Sequence, residues 1–170
     1  MTSRCWLLVG LVALGGSGCA GYKLGPVNGL AAGEKSVQIN PFANKTLEPR
    51  LGDAVTVQLR KELQRDATYH LASHNDGDIV VSGTINHYVR YQVSAAATDV
   101  LTAVDYRLEM RAQVTARDRS SGKLILDQPV TGTVIIRVTE DLTSAERQAL
   151  PLLAADLAKN VTALLAEGAW

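Results

Sequence analysis

His70 and His74 have the spacing in this chain that best suits metal chemistry, since residues four apart on a helix present two imidazoles to one zinc ion. Their flanks read as strand and turn instead of helix, no cysteine follows position 19, and His87 has no matching spacing as a third ligand. No metal site is therefore expected, and a metal-binding or hydrolytic domain built on His70 and His74 is kept as an alternative that a zinc assay answers. No Gly-x-Ser-x-Gly elbow, phosphate-cradling glycine loop or Cys–His arrangement occurs, and Asp76 and Asp78 belong to a turn. Catalytic residues and cofactors are not expected, so the chain does not read as an enzyme. What remains is arginine. Arg90, Arg107, Arg111, Arg117 and Arg137 are predicted to share one sheet face, diluted by Asp105 and Glu109. A guanidinium matches phosphate oxygens in a two-pronged geometry, which makes the face a candidate phosphate-binding or partner-facing wall. The plain alternative is a solvated face whose cross-strand ion pairs contribute under about 1 kcal/mol each.

The element that must position those arginines runs from Val104 to Asp118. Val104, Tyr106, Leu108, Met110, Ala112, Val114 and Ala116 alternate with Asp105, Arg107, Glu109, Arg111, Gln113, Thr115 and Arg117. Side chains along a strand alternate faces, so the pattern predicts a strand with one dry and one charged face. At about 3.3 Å per residue it would span roughly 50 Å, so bending, a bulge or early termination is expected. Ile79–Val93 is a second long strand, with Ile79, Val81, Ile85, Val89, Tyr91 and Val93 on the dry face and Ser82, Thr84, Asn86, Tyr88, Arg90 and Gln92 on the wet one. Leu124–Val138 is a third, in which Pro129 cannot donate to a ladder and so demands a bulge or an edge position. Ser36–Asn40 is a short strand stopped by Pro41, with Phe42 buried just beyond, and Tyr69–Leu71 is an ambiguous strand or turn.

Two helices complete the pattern. Leu51, Val55, Leu59 and Leu63 recur at four-residue intervals within Pro49–Asp66, which gives one apolar stripe. Thr143 and Glu146 form a capping box for a second helix, whose apolar set runs from Leu150 through Leu153, Leu157 and Val161 to Leu165. Pro151 predicts a kink there, or a separate first turn. The fold class that follows is α+β: a two-layer sandwich with a mixed four-stranded sheet and two amphipathic helices on one face, in the order β-α-β-β-β-α.

Composition bounds the function. The 170 residues are 46% apolar, enough for one core, and seventeen basic residues balance seventeen acidic ones. No global field points to nucleic acid, and with one Phe, two Trp and five Tyr a base-stacking platform is not expected. A positive start, an apolar run over Trp6–Leu14 and small residues before Cys19 describe a secretory signal too short to span a bilayer alone. Gly16-Ser17-Gly18-Cys19 resembles a bacterial lipobox with Gly16 in place of the usual Leu, which implies cleavage before Cys19 and acylation of its thiol. Cleavage after Ala20 is the rival reading. Acylation by two or more chains tethers a protein stably. The domains expected are residues 1–18 as signal peptide, 19–35 as lipidated tether and 36–170 as the α+β domain. Ala20 after the cysteine resembles the outer-membrane sorting pattern.

Cys19-Ala20-Gly21-Tyr22, the stretch V-x-I-x-P-F-x-N-K-T at Val37–Thr46, and D-I-V-V-S-G-T-I-x-x-Y at Asp78–Tyr88 together resemble the lipopolysaccharide-assembly lipoprotein family, LptE. The likeness continues through Tyr106–Val114, the turn Asp118–Lys123 and Ala145–Leu157. It implies a lipid-anchored domain on the periplasmic side of the outer membrane, partnering lipopolysaccharide and plugging an LptD-type β-barrel. The P-F-x-N stretch is also similar to that of regulatory periplasmic lipoproteins of the CsgG or LpoB kind, which is the second reading. The five arginines come from face geometry and carry no assignment from the family.

Overall fold

The alternation from Val104 to Asp118 is realised in full. In the computed structural model, which describes residues 33–93, 104–138 and 141–168, the strands are β1 (Ser36–Ile39), β2 (Ala43–Asn44), β3 (His70–Leu71), β4 (Ile79–Gln92), β5 (Val104–Asp118) and β6 (Leu124–Val138). The helices are α1 (Leu51–Asp66), between β2 and β3, and α2 (Leu142–Glu167), after β6. The signal peptide, Cys19 and most of the tether lie outside the described residues, as does the loop between β4 and β5.

One mixed sheet carries the order β3-β1-β4-β5-β6, with β2 pairing β4 as well. β1 and β2 both run parallel to β4, while β4, β5 and β6 are antiparallel neighbours. The class is α+β as expected, and the strand count is corrected from four to six. Of the two additions, β3 falls within Tyr69–Leu71, which the sequence leaves open between strand and turn, and both are two residues long, too short for a period to show. β2 continues the line of β1 along β4 after the chain detours past Pro41, and its neighbour Phe42 is buried with its ring over Gly83, where a Cβ would collide with it.

β5 neither bends out of the sheet nor stops early; its two partners absorb the irregularity. β4 carries one surplus residue, Asn86, between Ile85 and His87, and the β5–β6 register shifts between Ala116 and Arg117. A bulge of this kind reverses which side chains face which way beyond it. The face assignment of β4 is therefore corrected after Ile85. Val89 pairs with Glu109 and Tyr91 with Arg107, so both lie on the polar face, while Tyr88 and Arg90 pair with Met110 and Leu108 and lie on the helix side.

Both helices cover the dry face. Leu51, Val55, Leu59 and Leu63 of α1 meet Leu153, Leu157, Val161 and Leu165 of α2 in one core with Ile79, Val81, Ile85 and Leu108, Met110, Ala112, Val114 and Ala116 of β5. α2 is long and apolar enough to cross a bilayer by composition, and it buries much of that apolarity against the sheet. It is a single helix with Pro151 inside, so the separate first turn is not what forms. Its cap is Asp141, whose carboxylate accepts from the Thr143 and Ser144 N–H groups. That corrects the Thr143–Glu146 box, because Glu146 is engaged across the layer by β4. Pro129 sits on β6, the edge strand, where a missing N–H costs no ladder bond.

Candidate functional site

The polar face is laid out by the register of three strands. At its proximal end, beside β1, amides and hydroxyls bond to one another. Gln38 Nε2 donates to Asn40 Oδ1 at 2.9 Å, Asn40 Nδ2 donates to Ser82 Oγ at 3.0 Å, and Arg119 donates to Gln38 Oε1. Gln113 donates to Asp127, and Arg117 donates to the Gly122 carbonyl at 2.7 Å, which holds it against its own turn.

The distal end, toward residues 93, 104 and 138, differs. Asp105 and Arg137 face each other across β5 and β6, with Arg137 Nε and Nη2 donating to the two carboxylate oxygens at 2.8 and 3.2 Å. That two-pronged bond from Arg137 holds the Asp105 carboxyl below its usual range. Arg111 Nη2 donates to Glu109 at 3.1 Å. Arg107 lies between these two pairs, exposed, with no ion-pair or hydrogen-bond partner among the described residues. Its cross-strand neighbours are Tyr91 and Ile135, which are 50% and 61% exposed, and Val93 one row further out is 49% exposed. An unpartnered guanidinium set among exposed apolar side chains suits a ligand carrying both an anionic group and a hydrocarbon part.

Of the arginines predicted for this face, the structure groups Arg107, Arg111 and Arg137 at the distal end, places Arg117 on the same face at the proximal end, and excludes Arg90. The Asn86 bulge turns Arg90 to the helix side, where its Nη1 donates to Glu146 of α2 at 2.8 Å and its guanidinium lies 6.0 Å from the centroid of the Tyr106 ring. Tyr88 donates more weakly to the same carboxylate at 3.4 Å, and burial, with Glu146 adding to it, pushes the Tyr88 hydroxyl above its ordinary pKa. Arg90 is thus a brace between sheet and helix. Ile135 shares the parity of Thr131, Thr133 and Arg137 as alternation in β6 predicts, and Tyr91 is the residue whose place on this face sequence reasoning missed. The available signal was His87, a polar residue at a position the unbroken alternation assigns to the dry face.

The histidines do not converge. His70 Nδ1 lies 2.9 Å from the Gly33 carbonyl at the end of β3, His74 is in the following turn and His87 is on the polar face. Among the described residues no group of three His, Cys, Asp or Glu side chains is placed to hold a metal ion.

The sequence model of the lipopolysaccharide-assembly family LptE matches residues 34–165, every element from β1 to α2. The chain belongs to the LptE family. Solved structures share the fold of this LptE-family chain at low identity. A protein of Xanthomonas campestris has a TM-score of 0.53 and 10% identity, over 85% of this chain and 90% of that one. A hypothetical protein of Chlamydia trachomatis also has a TM-score of 0.53 and 10% identity, over 77% and 95% respectively. No curated protein sequence matches the chain.

Proposed function

We propose that this protein is a non-enzymatic outer-membrane lipoprotein that plugs an LptD-type β-barrel from the periplasmic side and assists the insertion of lipopolysaccharide into the outer leaflet. The observation that carries the reading is the LptE match across the whole described domain. An acyl anchor on Cys19 would hold the domain at the membrane, and the two helices brace the sheet so that its polar face can lie against a wet barrel lumen. Within that face, Arg107 is the guanidinium left for lipid A phosphate. The exposed Tyr91 and Ile135 beside it can meet the hydrocarbon of the same molecule. Arg111 and Arg137 shape the site through their carboxylate partners, and Arg117 is held by its turn.

Purification of the tagged full-length chain from membranes tests the role. Co-purification of a large outer-membrane β-barrel supports it. Recovery of a secretion or peptidoglycan complex with no barrel would overturn it in favour of the regulatory lipoprotein reading. Mass spectrometry of the same sample, expected to find an acylated N-terminal Cys19, tests the anchor.

A further inference from the structure

β6 is the outer strand of the sheet, and an edge of fifteen residues is a template for pairing with another chain. Its register with β5 is unbroken from Leu126 to Val138, so backbone groups alternate strictly between inward and outward. The outward positions include 129, 131 and 133. At the first, Pro129 has no N–H. At the second, the Thr131 carbonyl accepts from Asn160 Nδ2 at 2.8 Å, and at the third the Thr133 N–H donates to Asp156 Oδ2 at 2.8 Å. Asp156 and Asn160 are one turn apart on α2 and so reach round the edge from one side of the helix.

The approach depends on Gly132. A Cβ there would lie 2.8 Å from both the backbone N and the Cβ of Leu157 and 2.9 Å from the Leu153 carbonyl oxygen. Without a side chain at 132, α2 comes close enough for the two polar residues to reach the outer row of β6.

We infer that Pro129, Asp156 and Asn160, admitted by Gly132, form an edge guard that prevents a second copy of this chain from pairing along β6. An incoming strand needs alternating donors and acceptors over this stretch. The guard removes one donor covalently and occupies a further donor and an acceptor. The guard acts on the sheet edge whatever the polar face binds.

The test is the triple variant Pro129→Val, Asp156→Ala, Asn160→Ala of the full-length chain in detergent, compared with the unaltered chain by sedimentation. Self-association is expected to tighten by about tenfold or more, with amide exchange at Thr131 and Thr133 slowing as dimer forms. Asp156→Asn, which keeps an acceptor for Thr133, should sediment like the parent. A folded triple variant that associates no more than the parent, or whose dimer leaves those two amides unprotected, overturns the guard. Should the triple variant not fold, Asp156→Ala and Pro129→Val are read singly, and unchanged association in both overturns it equally.

Discussion

The two ends of the polar face share β4, β5 and β6, with β1 added at the proximal end, and satisfy their polar groups differently. At the proximal end Gln38, Asn40, Ser82, Gln113 and Asp127 use one another's donors and acceptors, and even the charged Arg117 and Arg119 are held by neighbouring oxygens. At the distal end Asp105 takes Arg137 and Glu109 takes Arg111, and among the described residues no carboxylate remains for Arg107, which lies beside exposed Tyr91 and Ile135. A closed polar network has little to offer a ligand, since every new bond displaces an old one. The distal end has a cation unspent among the described residues and apolar surface in contact with water. Charge count along a strand is thus a poor guide to a binding site; the pairing of those charges decides.

Breaking the shared scaffold should have the largest effect. Leu157, fully buried and packed on Gly132, supports both ends, and Leu157→Ala is expected to cost about 2–5 kcal/mol in urea unfolding. The contrast itself is sharpened by charge reversal on the distal row. Arg107→Glu should weaken binding of purified lipopolysaccharide by about tenfold or more, with stability unchanged. Arg117→Glu, at the proximal end, should have a clearly smaller effect; equal losses would erase the distinction between the ends. Arg90→Ala should do the reverse of Arg107→Glu, lowering stability by about 1 kcal/mol or less through loss of the Glu146 pair, with lipopolysaccharide binding kept. The smallest effect is a dependence on acid. Asp118 is held below its ordinary range first by the Ser120 hydroxyl, Asp78 by the Ser36 N–H and Asp141 by Ser144. Below about pH 4 the unfolded chain therefore binds more protons than the folded one. Stability should be level from about pH 5 to neutral and fall as pH drops through the carboxylate range, and Asp78→Asn should flatten part of the decline in thermal melts.

Much of this was legible in the sequence, for a physical reason in each case. β5 separates seven apolar from seven polar side chains through Arg117 without an exception, and α1 repeats a buried residue every four positions, so each pattern has one solution. β2 and β3 have no pattern to read, being two residues each. The stretch Asp141-Leu142-Thr143-Ser144-Ala145-Glu146 offers two overlapping caps, and the choice falls to Asp141 because Arg90 claims Glu146 from another layer. The candidate site was half legible: Arg107, Arg111, Arg117 and Arg137 follow from alternation, whereas Tyr91 is moved onto that face by a bulge that local sequence does not announce.

The surplus residue at Asn86 has a bearing on comparing relatives by their letters. Two chains matched position by position through this point, one with the insertion and one without, would equate side chains that serve opposite surfaces for the remainder of the strand. A basic residue lined up with Arg90 in such a match could be a wall residue in one protein and a tie to a helix in the other. Beyond Ile85, then, shared columns in β4 are no guide to shared roles unless the count of residues in the kink is settled first.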